Sequence, residues 1–172
     1  MADTQPVLYD RTFGFGALFT AILVVAPLIA PGAILLAVLH GEPLVGGARD
    51  ALIISGSVAA VILFGILGLI WRMRVVVTPV ELTIIWGYLG WLRCRFALAN
   101  VESFQVVTFS PLRDFGGWGW RFGRDGRRCY NTRGNQGVEL VIGGRGYVVG
   151  VDDPEELSVE LETALGRKRR AG

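Results

Sequence analysis

The pattern of hydrophobic and polar positions divides the chain in two. Residues 13–39 contain no charged side chain, and neither do residues 51–71. A helix rises 1.5 Å per residue and needs about 20 residues to cross a bilayer core. Both runs therefore predict membrane-spanning helices, with residues 1–12 preceding the first. Pro27 and Pro31 lie four apart in the first run, and each removes a backbone hydrogen bond, which predicts a bend there. Between the runs, residues 40–50 hold Pro43 and Gly46-Gly47, a polar turn that makes the two helices an antiparallel hairpin. Small residues recur at helical spacing (Ala26, Ala30, Ala33 and Ala37; Ser55, Gly56, Ala59 and Ala60), a pattern suited to packing the helices on each other or on a second copy.

After Trp71 the period shortens to two. Alternation and turn signals predict strands over 72–78, 81–86, 91–96, 101–109, 118–122, 127–131, 137–142 and 147–151. Within 91–96, Trp91, Arg93 and Arg95 fall on one face and Leu92, Cys94 and Phe96 on the other, the expected core face. Pro111 ends the longest strand, and Asp125-Gly126 and Gly143-Gly144 supply turns that tolerate positive φ. The pattern then changes again. Asp153-Pro154-Glu155-Glu156 reads as an N-cap, a proline at the first helical position and a glutamate able to reach back to the cap. Leu157, Leu161, Ala164 and Leu165 form one apolar stripe, and Gly166 is the expected stop. Residues 167–172 follow as a basic tail, either a solubilising end or a contact for anionic headgroups.

These elements predict an α+β chain: a two-helix transmembrane hairpin followed, over 72–166, by an antiparallel β-barrel or sandwich of about seven strands capped by a C-terminal helix. That order resembles the pleckstrin-homology-like (PH-like) architecture, and the chain is similar to bacterial membrane proteins that carry one or two membrane helices before such a domain. The resemblance is carried by VTPVELTI (77–84), FGGWGWRFG (115–123), CYNTRGNQGVEL (129–140) and VGVDDPEEL (149–157). It implies a non-enzymatic binding or scaffolding domain and brings no catalytic residues.

Charge adds an orientation. The formal net charge of +2 conceals a net −2 over residues 1–71 and a net +4 over residues 72–172. Arg11, Arg72 and Arg74 flank the predicted spans on one side, with Arg93 and Arg95 close behind, whereas the intervening loop offers only Arg49. The positive-inside rule then places both termini in the cytosol, with the chain multi-pass in the cell membrane. Two acids and one arginine precede an apolar run longer than a signal core, so a cleaved signal peptide fits poorly. Sixteen of the 17 basic residues are Arg, a coding preference that fits a GC-rich bacterial genome. Cys94 and Cys129 give no zinc-ligand spacing and read as reduced, buried residues; one disulfide is the alternative, and it would place the domain outside the cytosol.

The candidate chemistry is recognition. The single histidine, His40, falls at a predicted membrane boundary, and no P-loop or dinucleotide fingerprint occurs; no metal, cofactor or enzymatic activity is expected. Arg113, Arg121, Arg124, Arg127, Arg128 and Arg133 lie within 21 residues, together with Trp118, Trp120 and Tyr130. Clustered guanidinium groups suit phosphate or carboxylate. The expected partners are therefore a membrane protein or a further copy of the chain, or else anionic lipid headgroups; alternation would instead divide these arginines between two faces and pair some with Glu102, Asp114, Asp125 or Glu139. A net +4 is too weak a footprint for nucleic acid.

Overall fold

In the computed structural model, residues 6–40, 47–65 and 71–171 are described. The strand-forming alternation of β-branched and aromatic residues yields two sheets. The first is a meander of β1 (Tyr9–Gly14), β2 (Arg72–Val77), β3 (Glu81–Trp86) and β4 (Leu92–Ala97), antiparallel throughout. The second contains β5 (Val101–Thr108), β6 (Gly119–Phe122), β7 (Arg128–Asn131), β8 (Gln136–Ile142) and β9 (Arg145–Gly150), in the spatial order β5-β8-β9-β7-β6. It is mixed, because β7 runs parallel to β9. The apolar positions of both sheets meet in one core. Met73, Val75, Leu82 and Ile84 from the first sheet pack with Tyr130, Val138, Leu140 and Val149 from the second.

A C-terminal helix, α5 (Pro154–Ala171), closes this core with Leu157, Leu161 and Ala164, all three fully buried. Its cap forms as expected: the Glu156 backbone N–H donates to Asp153 Oδ1 at 3.1 Å. Glu156 does not reach back to the cap, however. Its carboxylate accepts from Arg11 of β1 at 3.0 Å, tying the helix to the first sheet. Nor does Gly166 stop the helix. It is not among the glycines with positive φ, so the left-handed turn that would end a helix there is absent.

The N-terminal half differs more from expectation. The expected helix over 13–39 begins only at Ala17, because Phe13 belongs to β1 and is buried in the core. It continues as α1 (Ala17–Val25), a 3-10 turn at Ala26–Leu28 containing Pro27, and α2 (Ile29–Leu39), which passes through Pro31. The irregularity falls at the first proline, whose missing N–H loosens the ladder. The expected second span, 51–71, is α3 (Ala48–Gly65) in its described part, three residues earlier at its start, and Trp71 directly precedes β2. Pro43 and Gly46 of the predicted turn lie outside the described residues, as do 66–70. Among the described residues, one stretch, Thr20–Ala37, is long and apolar enough to cross a membrane, with mean hydropathy 2.3, and a signal sequence near an N-terminus would meet the same criterion; Leu52–Leu63 is apolar but shorter. A multi-pass arrangement therefore does not follow from the described helices alone. The helices α2 and α3 pack on each other, burying Ala59, while Ile22, Ile29, Leu36, Ile54 and Val61 face outward.

Candidate binding groove at the open corner of the sandwich

Alternation along β6 and β7 sorts the predicted site residues. Trp120 pairs across the strands with Tyr130 and Phe122 with Arg128, so these four share one face, while Arg121 pairs with Cys129 on the other. The first face turns toward edge strand β4. Here the two sheets diverge and leave a groove of about 390 Å³ lined by Cys94, Arg95, Phe96, Trp120, Arg128 and Tyr147 among others. Its floor is aromatic: Trp120 stacks on Tyr130 with centroids 5.9 Å apart, and Phe96 meets Tyr147 edge-on at 5.1 Å. Arg128 lies between the Phe122 and Tyr147 rings, 5.3 and 5.8 Å from their centroids. Among the described residues, the lining carries two guanidinium groups and no acid.

Burial sets the protonation of the neighbouring groups. The Tyr130 hydroxyl is pushed upward by burial and by the adjacent Cys94, and burial likewise raises the Cys94 thiol. Both stay neutral near pH 7, leaving the arginines as the groove's charge. Cys94 and Cys129 are both free thiols: Cys94, on β4 of the first sheet, packs against the main core, and Cys129, on β7 of the second sheet, belongs to the separate cluster with Phe109, Phe115 and Val148.

The remaining arginines lie elsewhere. Arg113 is on α4 (Pro111–Phe115), a short helix capped by Ser110, and pairs with Asp114 at 3.1 Å. The backbone N–H of Ser110 and then Arg113 hold the Asp114 carboxyl below its ordinary range. Arg127 reaches Asp125 at 2.6 Å and Glu139 at 3.5 Å, on the outer face with Phe115. Arg121 donates from Nε to the Trp118 carbonyl at 2.9 Å. Arg124 is exposed in the turn between β6 and β7. Arg133 forms a two-point ion pair with Asp152, Nε to Oδ1 at 3.1 Å, at the opposite end of the same strands. Beside it, Trp118 lines a separate apolar pocket of about 400 Å³ against Gly16, Ala17 and Ile22, where α1 leaves the domain.

The structure thus brings Trp120, Arg128 and Tyr130 together and disperses Arg113, Trp118, Arg121, Arg124, Arg127 and Arg133. Asp114, Asp125 and Glu139 pair as alternation allowed, whereas Glu102 instead accepts from the Gly144 N–H at 3.2 Å. Sequence reasoning did not place Phe96, Tyr147 and Arg95 in the groove. Their contribution depends on sheet order, which no local signal encodes; only the alternation of exposed aromatics in β6 pointed there. These features define a small α+β domain of two sheets and a C-terminal helix, carried by apolar helices. No protein-family model matches the chain, and no curated protein matches it.

Proposed function

We propose that the protein is a membrane-anchored, non-enzymatic PH-like interaction module whose groove between β4 and β6 takes an extended, carboxylate-bearing segment of a membrane protein partner. The observation that carries the anchor is the pairing of Gly14 with Arg72, the last residue of β1 with the first of β2. The intervening chain, which includes the apolar helices α1, α2 and α3, leaves one end of the sheet and returns to it. A first helix that crosses the bilayer obliges the chain to cross back, so α3 serves in the second span of a hairpin. The outward-facing Ile22, Ile29, Ile54 and Val61 support this, since so much apolar surface is unfavourable in water. The positive-inside rule puts the domain in the cytosol.

The PH-like reading gains support from topology. Without residues 111–131, which form α4, β6 and β7, the second sheet is the antiparallel meander β5-β8-β9. Seven strands and a C-terminal helix are then left, the number the resemblance implies, although the first of them, β1, precedes the apolar helices rather than following them. The insertion walls the groove. On its other wall, β4 has a strand neighbour on one side only among the described residues, so its free backbone groups can receive an added strand. Arg95 and Arg128, with no acid among the described lining residues, match a carboxylate.

In-membrane photo-crosslinking tests the proposal. A photoreactive residue at Trp120 is expected to give a discrete protein adduct that Arg128→Glu removes, while the same residue at Arg124, outside the groove, gives none. Equal labelling at both positions, or adducts with lipid alone, would overturn partner binding in the groove; lipid adducts would favour headgroup recognition.

A further inference from the structure

We infer that the turn between β3 and β4 (residues 87–91) is a third membrane contact, its apolar tip seated in the headgroup region of the bilayer beside the point where the helices enter it. The inference rests on the reading of α1 to α3 as membrane helices and adds a contact made by the domain itself.

Register places the tip. Gly14 pairs with Arg72, Met73 with Trp86, and Trp86 with Leu92, so one end of the first sheet holds the last strand residue before the apolar helices, the first strand residue after them, and both ends of this turn. The Gly87 N–H donates to the Arg72 carbonyl at 2.7 Å, joining the turn to the returning chain. The Arg72 guanidinium also lies 4.3 Å from the centre of the Tyr88 ring. Gly87 and Gly90, at φ of 71° and 60°, give the turn its shape, and Arg93 Nε closes it on the Gly90 carbonyl at 2.6 Å. The tip is therefore built and held.

What it presents is unlike an ordinary hairpin turn. Tyr88, Leu89 and Trp91 are 58%, 40% and 75% exposed. Tyrosine and tryptophan flanked by arginine are the side chains that settle at the level of lipid headgroups, rings in the apolar boundary and polar atoms outward. The opposite end of the same sheet supplies the contrast, with Thr78-Pro79-Val80 between β2 and β3. A seated tip, together with the two helices, gives three points of attachment and fixes the domain's tilt, which sets the height of the groove above the bilayer.

Spin labels on Leu89→Cys and, separately, Val80→Cys in the full chain test this, with Cys94→Ser and Cys129→Ala removing the native thiols. In vesicles of mixed zwitterionic and anionic phospholipid, the label at 89 is expected to show an oxygen-to-nickel collision ratio several-fold above that at 80. Labels at 89 and 80 that are equally nickel-accessible, in protein that resists alkaline carbonate extraction, would overturn the contact and leave the anchor standing. Release by carbonate would overturn the anchor and the inference with it. Spin–spin broadening at 89 that disappears on dilution with unlabelled protein would assign the tip to a second copy and overturn the inference. A second readout keeps the native cysteines: brominated lipid is expected to quench the native protein more than Trp91→Phe, and equal quenching counts against the contact.

Discussion

Cys129 lies fully buried on the outer side of the second sheet, packed with Phe109, Phe115 and Val148. Burial raises its thiol from 9.0 to about 12, and Tyr9 in the main core is likewise raised from 10.0 to about 12, chiefly by burial with Glu156 adding to it. Because these folded values exceed the unfolded ones, the neutral forms contribute stability in full below about pH 9. It is lost as pH rises toward 12, where the unfolded chain ionises first. The slope for one such group is up to ~1.4 kcal/mol per pH unit. Thermal unfolding in detergent should therefore fall steeply above pH 9, and Cys129→Ala should flatten the lower part of that decline even though it lowers stability at neutral pH. Parallel slopes for both proteins would show that the thiol is not buried as described. Residue type alone indicated that Cys129 was buried; that Phe115 on α4 is among the residues covering it depended on a short helix formed where only the end of a strand was expected.

At the scale of elements, β8 and β9 approach so closely that Gly137 leaves no space for a side chain. A Cβ there would sit 2.3 Å from the Val149 carbonyl oxygen and 3.0 Å from Gly150 Cα, both backbone atoms that move only if the ladder opens. Gly137→Ala should cost about 1–3 kcal/mol in chemical unfolding. At Gly56 on α3 an added Cβ meets nothing within 4 Å, so Gly56→Ala should be neutral or slightly stabilising. Most strands were legible because their alternation is local and their turns carry glycine. β1 was not. Its inward residues Tyr9 and Phe13 flank Arg11, whose charge breaks the pattern until Glu156 on α5 is seen to meet it, and Phe13 merges with the apolar run that follows. The parallel pairing of β7 with β9 was equally hidden, since parallel neighbours are joined through distant chain and leave no turn signature. The groove inherits that blindness: Trp120 and Tyr130 were recognisable, but their proximity to Phe96 depends on how the sheets close.

For the whole molecule, the consequence of β1 is that the β domain is discontinuous in sequence. A chain starting at Arg72 would lack an edge strand of the first sheet, together with Tyr9 and Phe13 of the core and the Arg74 to Asp10 ion pair that joins β1 to β2. It would expose β2, whose Met73, Val75 and Val77 are fully buried in the native sheet, as an apolar edge prone to aggregate. Gly14 and Arg72 are direct antiparallel partners, so their Cα atoms lie about 5 Å apart and a two-residue hairpin turn can join them. Replacing residues 15–71 by Asn-Gly should therefore give a soluble protein that unfolds cooperatively, while the chain from Arg72 onward should precipitate or expose hydrophobic surface to a dye. Restoring residues 6–14 as a separate peptide should partly rescue the shorter chain. If the chain from Arg72 folds as stably as the joined form, β1 is dispensable, and the two-way passage inferred from its pairing with β2 loses its basis. If the joined form is soluble and folded, the apolar helices are an insertion within a sheet. The domain would then be tethered through two adjacent strands, which limits its rotation about the attachment far more than a single linker would.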